Sequence, residues 1–308
     1  MGHSDAPPAT VPRTLAPPRT HAPPRTLMLG LSLVALLLMG ACAPMLREPL
    51  PSGAWAEAAH GAHVRYLVPA GRVPIEAPDD AVARLEAFLA DVGPDWRVPE
   101  RIHYYAFRDR DTLRALTPWD STGRALLRHD AVISIYAADA HEVAHVLTAP
   151  PERPLRLANF WLEGIAMYYT WAEVYFGEDE LKERALPRRI GVWRGRSVHA
   201  WSQDALAGGD LPALSPLVHG NRAFDALDDG LTYPAAGSFT TFLLGPGHED
   251  RERIAAFRAF LSDANVADSP AGVRAAFEDR LGVPLDDAEA AWHDFLRRWD
   301  EAALGAGS

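Results

Sequence analysis

Two histidines stand four residues apart in the segment AADAHEVAHVLT, which covers residues 137–148. On an α-helix, residues four apart share a face, so His141 and His145 can direct their imidazoles at one common atom. Glu142 lies roughly 100 degrees around such a helix from His141, beside that atom. This is the arrangement that a two-histidine zinc site with a neighbouring general base requires. The alternative is a chance pattern on an ordinary amphipathic helix.

A catalytic zinc site usually takes three protein ligands and keeps one position open, so a third ligand must come from elsewhere. Downstream, residues 159–169 read NFWLEGIAMYY and place Glu163 inside an otherwise apolar run. Burying an unpaired carboxylate is costly, and ligation of a metal ion would remove that cost. Glu163 is therefore the candidate for the third ligand. The sequence predicts one Zn2+ ion per chain, held by His141, His145 and Glu163.

The segments around these residues predict strands first and helices later. Alternating, aromatic-rich or apolar runs predict strands, and apolar residues at helical spacing after Asp79 and Asp80 predict a helix that these aspartates cap. The predicted strands cover 63–68, 101–107 and 131–136, and the later predicted helices cover 160–176, 237–244, 251–261, 270–281 and 286–299. Residues 187–232, rich in Pro, Gly and Asp, predict loops. This order indicates two packed lobes with a cleft between them.

The composition is that of a globular protein with a sizeable core. The 308-residue chain has 48% hydrophobic and 23% charged residues, and its formal net charge at pH 7 is -11. Such a charge argues against nucleic-acid binding, because a phosphate-binding surface needs clustered Lys and Arg. We therefore expect no nucleic-acid partner.

The single cysteine follows an apolar segment near the N-terminus. Residues 27–41 read LMLGLSLVALLLMGA and precede Cys42 directly. The run is shorter than the roughly 20 residues of a membrane span, and arginines precede it, as in a secretory signal. Residues 1–41 are therefore predicted to be a disordered leader with a signal peptide, and the Pro/Ala/Gly-rich residues 42–61 a tether. A buried core helix is the alternative for the apolar run.

The same segment resembles a bacterial lipoprotein signal, with Gly40-Ala41-Cys42 as the cleavage box. The resemblance implies that Cys42 becomes the lipid-modified first residue of the mature protein and anchors it to a membrane. Ala43 stands where an Asp would mark inner-membrane retention, so the resemblance implies the periplasmic side of the outer membrane in the cell envelope. A plain secretory signal, cleaved near Ala41, remains the milder alternative.

HEVAH followed by FWLEGIAMYY resembles the gluzincin group of zinc metallopeptidases, in particular the bacterial peptidase MA-like proteins. The resemblance extends over roughly residues 62–300, including the YPAAGSF segment that begins at Tyr233 and a late Trp292. Members usually show Trp-Leu-x-Glu-Gly. Here Phe160 takes the tryptophan's place, which changes packing and leaves Glu163 as the implied third ligand.

This resemblance implies an α+β fold of the thermolysin-like zincin type. Such a fold has a small N-terminal mixed β-sheet with the active-site helix, followed by a mostly helical C-terminal lobe. The implied peptidase MA-like catalytic domain covers residues 62–304. The resemblance also implies an edge strand before the active-site helix, which pairs with an extended peptide substrate, and residues 131–136 match that place.

Hydrolysis by such a site needs a donor for the developing oxyanion. In aminopeptidase-like relatives a downstream tyrosine has this role, and the resemblance makes Tyr233 the candidate. The alternative is a tyrosine that packs between the lobes. His248 and His219 are weaker candidates, because histidines in loops are more often solvated than catalytic.

The sequence thus predicts a zinc metallopeptidase that hydrolyses peptide or protein substrates, with Glu142 as general base and Tyr233 as oxyanion donor. It would be held at a membrane by a lipid anchor on Cys42. One alternative is a catalytically silent, peptidase-like envelope lipoprotein that acts as a binding or assembly factor. Another is a zinc amidase that acts on cell-wall peptide crosslinks with the same residues.

Overall fold

A computed structural model describes residues 49–74, 76–150, 155–176, 180–181, 183 and 188–300. The predicted leader and signal peptide (1–41), Cys42 and the end of the predicted catalytic domain (301–304) lie outside the described residues. The strands are β1 (Trp55–His60), β2 (Val64–Pro69), β3 (Ile102–Ala106), β4 (Gly123–Leu126), β5 (Ala131–Ser134), β6 (Val192–Trp193) and β7 (Arg196–Ser197). The helices are α1 (Pro78–Val92), α2 (Arg110–Leu116), α3 (Ala140–Thr148), α4 (Asn159–Tyr168), α5 (Ala172–Tyr175), α6 (Val198–Gly208), α7 (Leu214–Leu217), α8 (Asn221–Asp225), α9 (Asp229–Leu244), α10 (Arg251–Val266), α11 (Pro270–Leu281) and α12 (Leu285–Arg297).

The N-terminal part is a five-stranded mixed sheet in the order β1-β2-β3-β5-β4. β2, β3 and β5 run parallel, and β1 and β4 pair antiparallel at the two edges. Side chains alternate across a strand, so β3 buries Tyr104 on one face of the sheet and Tyr105 on the other. The mixed α+β architecture and the three predicted strands are confirmed. The sheet and the later helices belong to one compact unit that begins at Pro49.

Two edge strands differ from the sequence prediction. Residues 42–61 were predicted to be a tether, yet residues 55–60 form β1, and the tether prediction is wrong for them. Trp55 explains the difference: its ring packs edge-on against Tyr105 at 4.9 Å and Phe107 at 5.3 Å. These aromatic contacts outweigh the weak strand preference of the alanines in WAEAAH.

The strand directly before α3, which carries the HEVAH motif, is not the edge strand. β5 forms hydrogen bonds with β3 on one side and β4 on the other, so the expectation of an edge strand at residues 131–136 is wrong. The edge strand is β4, which consists of the residues GRAL and was not predicted. Its Gly and Ala residues give no strand signal, and pairing with β5 creates the strand.

The helical part agrees with the prediction in outline. α1 begins at Pro78, so Asp79 and Asp80 lie in its first turn and do not cap it. There the carboxylates favour the helix through its dipole.

The region predicted to be loops, 187–232, contains the β6–β7 hairpin and helices α6 to α8. Within the described residues, no helix combines the length and the apolar composition that crossing a membrane needs.

Gly164 lies at the contact between α4 and α9. A Cβ atom at residue 164 would lie 2.5 Å from Oγ1 of Thr240 and 3.0 Å from the carbonyl oxygen of Ala236. Both neighbours are buried, so neither can move away without disturbing the interface. Glycine at this position lets the helix that carries Glu163 lie directly against α9.

We therefore expect the substitution Gly164→Ala to destabilise the fold, although alanine favours a helix. Overpacking of a buried interface costs about 1–3 kcal/mol in the free energy of unfolding, which urea denaturation measures. Gly220→Ala is the control, because a Cβ atom there would meet nothing within 4 Å and its φ of 168° is open to any residue. An unchanged stability of Gly164→Ala would contradict this packing.

Candidate metal centre

The helix α3 carries the HEVAH motif, and a buried aspartate fixes its first turn. Asp139 is the N-cap of α3, and its Oδ1 accepts a hydrogen bond from the backbone N–H of Glu142 at 3.3 Å. The same carboxylate accepts from Ser134 at 2.6 Å and from the Tyr175 hydroxyl at 2.5 Å. The Tyr175 oxygen accepts in turn from the backbone N–H of His141 at 3.0 Å. Because the carboxylate of Asp139 accepts three hydrogen bonds, it can be buried, and it holds the start of the helix in place.

The three predicted ligands converge where α3 crosses α4. Nε2 of His141 lies 3.2 Å and Nε2 of His145 lies 3.4 Å from Oε2 of Glu163. The two imidazole rings stand nearly perpendicular, with centroids 4.8 Å apart. This is the one group of three His, Cys, Asp or Glu side chains in the described part of the chain whose ligand atoms lie close enough together to hold a metal ion.

The geometry and the donor set both fit zinc. Two histidine nitrogens and one carboxylate oxygen are a usual catalytic zinc ligand set, and bonds of about 2.0–2.2 Å in a tetrahedron place ligand atoms roughly 3.4 Å apart. The observed separations of 3.2 and 3.4 Å match this spacing. The side chains of His141 and Glu163 are 14% and 17% exposed, which leaves the ligand atoms an opening to solvent.

The charges of these groups are strongly coupled. Burial alone would lower the pKa of His141, but the hydrogen bond and the charge of Glu163 raise it to about 9. Burial would raise the pKa of Glu163, but His145 and His141 hold it well below its ordinary value. The protein therefore keeps Glu163 ionised, as a metal ligand must be.

A threonine behind His141 fixes the tautomer of its ring. The Thr170 hydroxyl donates to the carbonyl oxygen of Ala166 at 2.9 Å, so its oxygen is free to accept from Nδ1–H of His141 at 3.1 Å. A neutral imidazole with its proton on Nδ1 has its lone pair on Nε2, facing Glu163 and His145. Such a bond to the outer nitrogen orients a metal-ligating histidine. No sequence motif marks Thr170, so its role was not predicted.

Glu142 fits beside the cluster because Gly123, on β4, has no side chain. A Cβ atom at Gly123 would lie 2.9 Å from Cγ of Glu142 and 2.9 Å from Oδ2 of Asp139. Burial is the main cause that raises the pKa of Glu142 to about 7, and the charge of Asp139 raises it further while His141 opposes it. A carboxylate with a pKa near neutrality suits a general base. Gly123 was not predicted as a site residue, because the sequence gives no signal for the edge strand that carries it.

Tyr233 lies against His141, one of the predicted ligands. Its ring stacks on the ring of His141, with centroids 6.2 Å apart and an angle of 25°. It lies in the second turn of α9, which begins at Asp229, eight residues before the helix predicted at 237–244. Burial raises the pKa of Tyr233 far above its ordinary value, and the charge of Glu163 raises it further. The phenol therefore stays protonated and can act as a hydrogen-bond donor.

The two histidines proposed as weaker candidates lie elsewhere. The His248 ring is fully buried, where its Nδ1 contacts the Tyr169 hydroxyl at 2.7 Å and its Nε2 contacts Asp95 at 2.9 Å. His219 lies beside Arg274, with its Nε2 3.3 Å from the guanidinium. Within the described residues, neither histidine forms a hydrogen bond, ion pair or ring contact with the proposed ligands. The structure therefore does not bring them to the site.

Comparisons with known proteins give a distant structural likeness. No family model matches the chain, and no curated protein matches it. The chain is similar to a solved M1 zinc metallopeptidase from Deinococcus radiodurans, at 18% identity and a TM-score of 0.39, over 79% of this chain and 50% of that one. A mutant form of that enzyme is 18% identical, with a TM-score of 0.38 over 80% of this chain and 52% of that one. A mutant bound to a Tyr-Ser-Ala substrate is 17% identical, with a TM-score of 0.37 over 79% of this chain and 51% of that one. The chain thus spans about half the length of these structures. The assignment of the metal centre rests on the side-chain geometry and not on this likeness.

The raised pKa of His141 predicts how zinc binding depends on pH. The folded-state pKa of about 9 lies above the ordinary 6.5, so the imidazolium stabilises the metal-free fold fully below about pH 6.5 and loses this effect as pH rises through about 9. Zinc needs the neutral imidazole, so it binds more tightly as pH rises. We expect the gain in Tm on adding zinc to increase from pH 6 to pH 9. Differential scanning calorimetry with zinc and with a chelator measures it, and a gain that shrinks with pH would contradict this account.

Proposed function

We propose that the protein is a zinc-dependent metallopeptidase that hydrolyses peptide bonds. The observation that supports this best is the convergence of His141, His145 and Glu163, from two helices, with Glu142 beside them. A purely structural metal site has no use for a second, half-buried carboxylate whose pKa lies near neutrality. The presence of Glu142 therefore favours a catalytic zinc site over a structural one.

His141, His145 and Glu163 would hold the zinc ion. Zinc bound by three such ligands supplies a Lewis acid and lowers the pKa of water. Glu142 would take the proton of the attacking water at its carboxylate and pass it to the nitrogen of the leaving amine. The N-cap at Asp139 and the bare backbone at Gly123 fix where this carboxylate lies.

Tyr233 would stabilise the oxyanion. Its hydroxyl forms no hydrogen bond with any other described residue, whereas the Tyr175 hydroxyl, also close to His141, donates to Asp139. A free, protonated phenol next to a metal ligand can donate to a carbonyl oxygen as negative charge develops on it. The free hydroxyl favours this role over that of a tyrosine that only packs between elements.

The finer family assignment is part of the same proposal. We assign the domain at residues 62–304 to the thermolysin-like zincin fold and to the peptidase MA-like gluzincins, on the strength of HEVAH and the LEG segment around Glu163. The five-stranded mixed sheet directly before α3 supports this assignment. The open edge of β4, next to Glu142, would take an extended peptide as an added strand.

The anchoring proposal rests on the sequence alone. Residues 27–41 and the Gly40-Ala41-Cys42 box support a lipid on Cys42, which would hold the enzyme in the bacterial envelope, on the periplasmic side of the outer membrane. The variant Cys42→Ser should then move from the membrane fraction to the soluble fraction of the cells. Its retention in the membrane fraction would argue against lipid anchoring.

The substitution Glu142→Gln tests the catalytic part of the proposal. Glutamine keeps the shape of the side chain but cannot accept the proton, so the variant should retain zinc and lose about 10²–10⁴-fold in kcat. Cleavage of casein or of a peptide library measures the activity. Glu252→Gln, on the exposed surface of α10, is the matched control and should leave activity unchanged. Wild-type activity in Glu142→Gln would remove Glu142 from this role.

A further inference from the structure

Tyr233 is fixed by ring packing and not by its hydroxyl. Three rings surround it: His141 at 6.2 Å, Trp193 at 5.3 Å and Phe224 at 5.7 Å between centroids. The rings of His141 and Trp193 both lie within about 25° of parallel to it, whereas Phe224 is tilted by 51°. No ring contact joins His141 to Trp193 in the described part of the chain. Tyr233 therefore contacts two rings that do not contact each other.

Trp193 is in turn held by a short hairpin. β6 and β7 pair antiparallel across a two-residue turn, in which Arg194 and Gly195 both have positive φ, 47° and 80°. Such a turn matches the twist of the strands and keeps the hairpin tight. The carbonyl oxygen of Trp193 accepts a hydrogen bond from the indole N–H of Trp201 at 2.7 Å. These contacts fix the tryptophan backbone independently of its side chain.

The hairpin is attached to the same segment that orients His141. The backbone N–H of Val192 donates to the carbonyl oxygen of Thr170 at 2.9 Å, and the Thr170 side chain is the partner of His141. At Gly191 a Cβ atom would lie 2.0 Å from the carbonyl oxygen of Met167, so glycine permits this close approach. The hairpin that carries Trp193 and the threonine behind His141 therefore form one rigid support.

We propose that Trp193 is a positioning residue, which holds the Tyr233 ring in register with His141 so that the phenol hydroxyl faces the reacting carbonyl. This inference rests on the proposed function. In the described part of the chain, Trp193 forms no hydrogen bond, ion pair or ring contact with the proposed ligands or with Glu142. It therefore acts through the Tyr233 ring on which it stacks. Because no hydrogen bond fixes the Tyr233 hydroxyl, loss of the indole would let the ring turn away.

Crystal structures of two variants test the positioning role without using activity. In Trp193→Leu, which keeps apolar bulk but removes the ring, Tyr233 should leave its stacked place 6.2 Å from His141. In Trp193→Phe, which keeps a ring, Tyr233 should stay. Both variants should bind zinc as the wild type does. A Tyr233 ring that stays in place over His141 in Trp193→Leu would overturn the proposal.

Kinetics give the second readout. Misplacing a catalytic group by about 1 Å can cost up to about 100-fold, so Trp193→Leu should lower kcat about tenfold or more, with KM changed by less than about twofold. Trp193→Phe should restore most of kcat. Arg280→Gln, which breaks an exposed ion pair of α11 with Asp263 outside this support, is the control and should leave kcat unchanged.

The double variant decides whether Trp193 acts through Tyr233. If it does, Trp193→Leu should cost nothing further in the Tyr233→Phe background, because the hydroxyl that it positions is already absent. Losses that multiply in the double variant would overturn the proposal, since Trp193 would then act by itself. If the wild type hydrolyses no peptide, the proposed function fails, and the crystal structures still decide the role of Trp193.

Discussion

A carboxylate inside an aromatic helix interface is the constraint on which the site depends. Glu163 lies on α4, a helix whose neighbouring Phe160 and Trp161 are fully buried in the core. Removing an ionised carboxylate from water is costly unless positive charge and hydrogen bonds compensate it. The two histidines of α3 provide that compensation, and they do so only because α3 crosses α4 at Glu163. The same ion pairing brings the two histidine Nε2 atoms and Oε2 of Glu163 close enough together to bind one cation.

The surrounding elements all serve to fix that crossing. The buried cap at Asp139 sets the start of α3, and the missing side chain at Gly164 lets α4 lie directly on α9. Through α9, this packing also places Tyr233 against His141. The proposed general base and the proposed oxyanion donor thus approach the metal ligands from different sides, one near the β4 edge and one from the helical part.

The sequence predicted the parts of the site that are local in the chain. The spacing within HEVAH places His141, Glu142 and His145, because four residues are close to one helical turn. Glu163 was also predictable, because an acidic residue in an apolar run needs a partner. Contacts between distant segments were not predictable. The edge strand β4 exists through its pairing with β5, and its short GRAL sequence carries no strand signal of its own.

The groups that orient the site were missed for the same reason. Thr170, Tyr175 and Trp193 are ordinary residues in the sequence, and only the fold brings them to His141 or to Tyr233. The hairpin β6–β7 lies in a stretch whose Pro, Gly and Asp content predicted loops. A tight two-residue turn uses the same residue types as a loop, so composition cannot separate the two.

The most direct test of the metal centre is the zinc content of the purified protein, measured by mass spectrometry. We predict about one zinc per chain in the wild type, a loss of zinc in His145→Ala, and full occupancy in His60→Ala, whose imidazole is exposed. A wild-type protein that binds no zinc at neutral pH with the metal supplied would contradict the account. Full occupancy in His145→Ala would contradict the ligand assignment.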